Sequence, residues 1–216
     1  MFIGDLCTDT PGVAVPGLDD RVRDHKYADD VAALAESPEE LRTTLRRVLR
    51  WAQREDMELA AAKCGVMCVG GDRQELDAHK EWWAAGGVTI PVVSTYKYLG
   101  VQFTDDADLE EAARHRQATV QRAFAAMRPH LADTRIPREL RRQALVTYVL
   151  PHATYAGELL GMNTTHSRGT ERVLEDALRC VYSLPKSTAS AVLWAEARLQ
   201  PLHVRWAAAR ARAMQK

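Results

Sequence analysis

The sequence predicts an α+β fold, with short antiparallel hairpins and a helix in its first half and helices alone in its second half. Residues 22–104 alternate β-like runs with turn-forming residues, whereas the chain from residue 108 onward repeats apolar side chains at helical spacing. The charge divides at the same place: residues 1–107 hold 12 Lys and Arg against 19 Asp and Glu, and residues 108–216 hold 17 against 10. We therefore expect two domains, 1–107 and 108–216, with net charges of −7 and +7. A basic second half suits phosphate binding, although the same count also fits a solvated helical surface.

Composition indicates an intracellular globular protein. Its 46% hydrophobic and 27% charged residues are ordinary for a folded domain, and no apolar run approaches the roughly 18 residues that a membrane span requires. The four cysteines, Cys7, Cys64, Cys68 and Cys180, lack the spacing of a disulfide framework or a zinc site. We therefore predict no membrane association and a location in the nucleus or the cytoplasm.

Asp29 and Asp30 form the candidate catalytic centre. They separate two β-like runs, residues 22–27 and 31–35. Because Asp tolerates the backbone of a two-residue turn, the segment predicts a β-hairpin that carries both carboxylates at its tip. Adjacent carboxylates repel each other without a cation and suit hard ions such as Mg²⁺ or Mn²⁺. An Asp pair is more often a solvated turn, as we expect at 19–20, but the apolar run 31–35 can bury one face and fix this tip in space.

Local patterns predict the other elements of the first half. Ser37, Pro38 and Glu40 form a capping-box pattern that begins a helix over residues 38–56. The elements expected beyond it are strands over 57–60 and 64–69 on either side of Lys63, a short helix within 72–81, a hairpin around Gly86 and Gly87, and an extended run over 96–103.

Apolar stripes predict the helices of the second half. They are expected over 109–127, 137–150, 170–184 and 189–216, with a connection bounded by Pro129 and Pro137, a loop over 161–169 and a break at Pro201. The first of these helices and the residue directly after it provide four arginines that are available for phosphates, Arg114, Arg116, Arg122 and Arg128.

Four strings occur in the order and spacing found in reverse transcriptases of non-LTR (LINE-like) retrotransposons, and the chain resembles this family over nearly its whole length. They are FIGDL at residues 2–6, YADD at 27–30, AKCGVM at 62–67 and YKYLGV at 96–101. YADD is similar to the palm hairpin of the family, AKCGVM to its lysine-bearing motif D, and YKYLGV to its primer-grip hairpin. Residues 168–185 and 196–212 are similar to the helical thumb and the start of its extension. The charged run RDHK at 23–26 departs from the family, which has apolar residues before YADD.

The resemblance implies a partial polymerase palm over residues 1–107 and a thumb with the start of its extension over 108–216. It implies three catalytic residues: Asp29 as the principal ligand of Mg²⁺ or Mn²⁺, Asp30 as a supporting ligand, and Lys63 as the cation near the leaving pyrophosphate. It also places Tyr27 beside the nucleotide, and Tyr98, Leu99 and Gly100 at the primer. On the residues alone, an exposed turn explains Lys63 and strand packing explains Tyr98 equally well.

The implied activity is RNA-directed DNA synthesis by two-metal nucleotidyl transfer, with an RNA template, a DNA primer and deoxynucleotide triphosphates as partners. In the family, the fingers and the other metal-binding Asp precede the segment that FIGDL resembles. We therefore expect a palm-and-thumb fragment that is inactive alone and whose exposed sheet edge a partner chain would cover. The alternative is a non-catalytic retrotransposon remnant that binds nucleic acid through its basic half or binds protein.

Overall fold

The structure is a computed structural model that describes residues 6–7, 9–161 and 163–215. Apart from Leu6, the string FIGDL at residues 2–6 lies outside the described residues. The chain divides into two compact units, Met1–Ala107 and Asp108–Lys216. Small antiparallel sheets together with helices form the first unit, and helices form the second, which confirms the predicted α+β class.

Three antiparallel hairpins make up the sheets among the described residues. Their strands are β1 (Asp24–Tyr27) with β2 (Asp30–Ala33), β3 (Ala84–Ala85) with β4 (Val88–Thr89), and β5 (Thr95–Tyr98) with β6 (Val101–Thr104). The hairpins predicted at Asp29 and at Gly86 are confirmed. The extended run predicted over 96–103 is interrupted, because Leu99 and Gly100 have positive φ and turn the chain back. This is the hairpin that the resemblance of YKYLGV implies.

The first helix, α1 (Pro38–Arg54), begins at the predicted cap. The Ser37 side chain accepts a hydrogen bond from the Glu40 N–H at 3.2 Å, and Pro38 occupies the first turn, where its missing N–H is not needed. The Glu40 carboxylate accepts from the Glu36 N–H at 3.0 Å. The Glu40 side chain therefore binds the N–H of the residue before the N-cap, whereas in a standard capping box it would bind the N–H of Ser37 itself.

The core of the first unit surrounds Trp83, whose side chain is fully buried. Its indole N–H donates to the Leu76 carbonyl at 3.0 Å, so the ring is buried without leaving a polar group unsatisfied. The other core members are buried apolar side chains, Ala61, Val66, Leu76, Ala85 and Ile90. The apolar face of α1 covers this cluster through Leu41, Leu45 and Leu49.

The predicted strands on either side of Lys63 are wrong. Residues 57–60 contain no strand, Ala61–Lys63 form one turn of 3₁₀ helix, and the run 64–69 makes a single parallel bridge between Val66 and Val92. Ala61 and Val66 explain the difference, because both side chains belong to the Trp83 cluster and the chain bends to bury them. The short helix predicted within 72–81 is confirmed as α2 (Arg73–Asp77).

Packed helices make up the described part of the second unit. They are α3 (Leu109–Ala132), α4 (Arg138–Ala144), α5 (Leu150–Thr154), α6 (Gly157–Leu160), α7 (Thr164–Tyr182), α8 (Ser190–Ala197) and α9 (Leu202–Ala213). The core lies where α3 packs along α7, with Val120, Leu174 and Leu178 fully buried. The predicted break at Pro201 separates α8 from α9. None of the helices among the described residues combines the length and the apolar composition of a membrane-spanning segment.

Two predicted boundaries in the second unit are wrong. α3 continues through Pro129 because Leu131 is fully buried and its carbonyl accepts from the Arg141 guanidinium at 3.2 Å, so tertiary packing outweighs the lost backbone bond. The described part of the predicted loop over 161–169 is mostly helix. It begins α7, because the Asn163 side chain accepts from the Thr165 N–H at 2.9 Å and caps the helix.

The helix predicted over 137–150 runs on to Thr154 through a π-helical turn, Leu145–Val149. In this turn the Leu150 N–H donates to the Leu145 carbonyl, five residues back. The turn ends at Val149, two residues before Pro151, which lacks the N–H that a regular helix would use there. The proline therefore changes the hydrogen-bond pattern of the helix without ending it.

Replacing Trp83 by Ala is expected to destabilise the protein by about 3–5 kcal/mol, because the change removes a fully buried ring and leaves a cavity. Urea unfolding followed by far-UV circular dichroism measures the loss. Trp82→Ala is the matched control, since Trp82 is only partly buried at the edge of the cluster, and it should cost roughly 1 kcal/mol. Equal losses in the two variants would contradict the central place of Trp83.

Candidate functional site

Two exposed carboxylates mark the tip of the β1–β2 hairpin. Tyr27 pairs with Asp30 across the hairpin, and Ala28 and Asp29 form the two-residue turn between them. Ala28 takes a positive φ of 54°, which suits the twist of the strands but is unfavourable for a residue with a Cβ. Asp29 and Asp30 are both exposed, and no hydrogen bond or ion pair with another described residue engages either side chain.

The charged run before the tip is accommodated by an ion pair. Asp24 and Lys26 share the inner face of β1, and Tyr27 lies on its exposed outer face. The Lys26 Nζ lies 3.1 Å from Asp24 Oδ2, and the side chains are only 21% and 15% exposed. The buried Cys7 thiol also forms a hydrogen bond with Asp24. Burial, together with the Asp24 charge, raises the pKa of this thiol to about 11. The inner face is therefore polar, but its charges are paired.

Lys63 closes the 3₁₀ turn Ala61–Lys63, and its side chain is exposed. The buried Ala61 anchors the beginning of the turn. Tyr96 anchors its end, because the Tyr96 hydroxyl donates to the Lys63 carbonyl at 2.7 Å. No described acidic side chain pairs with the Lys63 ammonium, so this group is available to an anionic ligand.

The β5–β6 hairpin brings the predicted site segments together. Tyr96 and Tyr98 are two residues apart on β5, so their rings lie on one face of the strand. Tyr96 binds the carbonyl of Lys63, and the Tyr98 hydroxyl donates to the carbonyl of His25 on β1 at 2.9 Å. These bonds span 33 and 73 residues of sequence. They hold the acidic hairpin and the Lys63 turn against one strand.

Gly65 allows the Tyr96 ring to approach the backbone. A Cβ on residue 65 would lie 3.0 Å from Cδ2 of Tyr96 and 3.1 Å from a methyl carbon of Val93, closer than ordinary packing permits. The ring therefore rests on the chain just after Lys63. Gly65 and Tyr96 are not among the site residues predicted from the sequence. Their positions inside the strings AKCGVM and YKYLGV are the signal that could have identified them.

Both phenols stay protonated at neutral pH. Burial raises the pKa of Tyr96, and Cys64 and Asp30 add to the effect. Burial also raises the pKa of Tyr98, with smaller contributions from Asp30 and Asp24. The two hydroxyls therefore remain hydrogen-bond donors.

Leu99 and Gly100 form the turn of the β5–β6 hairpin, with φ values of 45° and 74°. Two positive φ values in a two-residue turn match the twist of the strands, and glycine adopts them without a Cβ clash. The hairpin itself thus explains Gly100. Contact of Tyr98, Leu99 and Gly100 with a primer stays a prediction.

Asp29 and Asp30 fit a hard divalent cation as two of its ligands. Asp29 lies in the turn and Asp30 begins β2, both side chains are exposed, and Mg²⁺ is commonly held by one or two carboxylates together with water and substrate phosphates. No cluster of three or more His, Cys, Asp or Glu side chains that could hold a metal ion occurs in the described part of the chain. The remaining ligands would therefore come from water, from substrate or from another strand.

A polar groove of about 580 Å³ lies in the second unit. It is lined by Arg138, Glu139, Arg142, Tyr182, Ala195, Glu196 and Arg198. Arg142 is part of the scaffold, because it donates to the Ala197 carbonyl at 2.8 Å and pairs with Glu139. Arg138 lies over the Tyr182 ring at 5.7 Å. No described carboxylate pairs with Arg138 or Arg198, so two guanidinium groups are available to an anion.

One of the arginines predicted for phosphate contact is unavailable. Arg116 is 6% exposed, donates to the His152 carbonyl at 3.3 Å and lies over the Tyr155 ring. Its burial lowers the pKa of the guanidinium group. The other three, Arg114, Arg122 and Arg128, are exposed as predicted.

Comparison with known families supports the resemblance drawn from the sequence. Residues 14–103 match the family model described as reverse transcriptase (RNA-dependent DNA polymerase). The matched segment covers less than half of the chain and contains the acidic hairpin, the Lys63 turn and the β5–β6 hairpin up to residue 103. It confirms the resemblance at the level of reverse transcriptases, and the non-LTR subtype stays a prediction. Searches of curated proteins and of solved structures gave no match.

Ala28→Gly is expected to stabilise the protein by about 0.5–1 kcal/mol, because a φ of 54° is unfavourable for Ala but not for Gly. Thermal unfolding measures the change. Ala32→Gly in the middle of β2 is the control, and it should destabilise by about 0.5–1 kcal/mol. A loss of stability in Ala28→Gly would show that the turn does not hold this conformation.

Proposed function

We propose that this chain provides palm and thumb segments of an RNA-directed DNA polymerase, a reverse transcriptase of the non-LTR (LINE-like) retrotransposon type. Residues 1–107 correspond to a partial palm, and residues 108–216 to a thumb with the start of its extension. One observation carries the proposal: the segment that matches the reverse transcriptase family presents two exposed carboxylates at the tip of a hairpin.

Asp29 and Asp30 would hold Mg²⁺ or Mn²⁺. In nucleotidyl transfer the primer 3′ hydroxyl attacks the α-phosphorus of a deoxynucleotide triphosphate, and pyrophosphate leaves. A bound divalent cation would neutralise phosphate charge and lower the pKa of the attacking hydroxyl. The contribution of the chain is position, because the β1–β2 hairpin presents both exposed carboxylates at its tip. Asp29 in the turn would be the principal ligand, and Asp30 at the start of β2 would support it.

Lys63 would stabilise the leaving pyrophosphate. Its exposed ammonium stands on a turn that the Tyr96 hydroxyl fixes. A cation beside the leaving oxygens offsets the charge that develops on them or gives them a proton. Tyr27 is 67% exposed on the same hairpin face as Asp30, so its ring is offered to the sugar or base of the nucleotide.

A further strand that carries a carboxylate would complete the site. Two-metal transfer needs ligands for two cations, and the described residues contain no cluster of three or more side chains that could hold a metal ion. The β1–β2 sheet has two strands, so its outer edges offer backbone groups to a strand from another segment or chain. On this proposal, primer extension requires that strand as well as the RNA template, the DNA primer and the deoxynucleotides.

Asp29→Asn is expected to weaken Mn²⁺ binding about tenfold, because it removes one charged ligand. Electron paramagnetic resonance of free Mn²⁺ measures binding to the purified chain. In a preparation that extends a DNA primer on an RNA template, the same change should slow extension by about 100-fold or more.

The double variant Asp19→Asn/Asp20→Asn is the matched control for the metal experiment. This Asp pair is also exposed but lies in a bend outside the hairpin, so the variant should bind Mn²⁺ like the wild type. The metal assignment is lost if Asp29→Asn binds as tightly as the control.

A second candidate function is nucleic-acid binding without catalysis, in a retrotransposon remnant whose acidic hairpin no longer acts. The charge of residues 108–216, 17 basic against 10 acidic side chains, favours it. The groove adds a specific location, since it offers the guanidinium groups of Arg138 and Arg198 to phosphates.

Arg138→Gln/Arg198→Gln is expected to weaken binding of a single-stranded RNA oligonucleotide and to reduce the slope of log K against log salt by about 0.7 for each lost phosphate contact. Fluorescence anisotropy at several NaCl concentrations measures both quantities. Arg135→Gln is the control, because Asp133 already holds Arg135 at 2.8 Å. Binding that does not respond to salt, or an equal loss in the control, would contradict this function.

A further inference from the structure

We propose that Tyr96 and Tyr98 are positioning residues whose hydroxyls hold the Lys63 turn and the acidic hairpin, respectively, at a fixed separation. The inference rests on the proposed function for the identity of the acting groups, Asp29 and Lys63. It gives the YKYLGV hairpin a role that is separate from any contact with a primer.

Tyr98 acts on the hairpin just behind its tip. Its hydroxyl binds the carbonyl of His25, and His25 pairs with Ala32 on β2, so one bond restrains both strands. Asp29 and Asp30 have no hydrogen bond or ion pair of their own with the described residues to orient them. Their position therefore depends on how firmly the strands beneath them are held.

Tyr96 acts on the Lys63 turn from two directions. Its hydroxyl binds the carbonyl of Lys63 at 2.7 Å, and its ring lies against the backbone of Gly65. Ala61 pins the other end of the turn in the core. The backbone on both sides of Lys63 is thus restrained, and only the side chain extends into solvent.

Both contacts come from β5. It pairs with β6 through four residue pairs, and Val101 at the start of β6 is buried. Because the two tyrosines share one face of one strand, the Lys63 turn and the acidic hairpin are both bound to the same support.

Tyr98→Phe and Tyr96→Phe test the two contacts separately, since each removes one hydroxyl and keeps the ring. Hydrogen exchange is measured on peptides that cover residues 22–34 and 59–67. Tyr98→Phe should speed exchange about three- to tenfold in the first peptide alone, and Tyr96→Phe should do so in the second alone, as expected for loss of one hydrogen bond. Gly65→Ala, which displaces the Tyr96 ring but keeps its hydroxyl, should match Tyr96→Phe. Tyr148→Phe, exposed in the second unit, is the control.

Mn²⁺ binding gives a readout that a merely structural role would not change selectively. Tyr98→Phe is expected to weaken Mn²⁺ binding about three- to tenfold, and Tyr96→Phe should leave it unchanged. Faster exchange in both peptides together, or in neither, overturns the positioning role, as does unchanged Mn²⁺ binding in Tyr98→Phe. A wild-type chain that binds no Mn²⁺ overturns the proposed function instead, and the exchange pattern then still decides whether the two hydroxyls hold their segments.

Discussion

The hydrogen bonds from β5 to two distant carbonyls are the constraint on which the geometry of the first unit depends. Hairpins of four-residue strands are marginal by themselves and need packing to hold a fixed place. The Trp83 cluster supplies that packing near Ala61, but its members lie away from the acidic tip. Tyr98 supplies the missing tie, because it reaches from β5 to His25 across 73 residues of sequence. The position of the candidate carboxylates thus depends on a strand that has no carboxylate of its own.

Elements with local determinants were predictable from the sequence. The cap of α1 follows from the Ser37 hydroxyl and a glutamate three residues on, and the acidic hairpin follows from residues that tolerate a tight turn. For the same reason Asp29 and Asp30 are found at the tip where they were expected. The misplaced start of α7 is instructive, since Asn163 was a readable cap. Gly169 lies inside the helix, where its missing side chain makes room for Gln117 of α3.

Elements with distant determinants were not predictable. The chain around Lys63 bends because Ala61 and Val66 are drawn into a core built from residues up to Ile90. Arg116 was predicted to contact phosphate because helical spacing shows which face of the helix carries a charged residue but not which other elements cover that face. In the structure, His152 and Tyr155 contact Arg116. The charged inner face of β1 likewise departs from an apolar pattern, because Asp24 finds a cation two residues away and a thiol near the start of the chain. At Lys63 and at Arg116, a contact far along the chain outweighs the local preference.

The π-helical turn before Pro151 has a consequence for how this chain tolerates mutation. The turn accommodates one extra residue in the helix and shifts the hydrogen bonds at the point where the proline has no N–H to give. In a regular helix without the extra residue, the Pro151 ring would clash with the carbonyl of Thr147, four residues back. Without the proline, a regular helix would be possible and nothing in this segment would favour the widened turn. The two irregularities are thus conditionally neutral: each would be harmful in a chain that lacked the other. The proline and the widened turn therefore form one unit, and a change to either alters the helix that contains both.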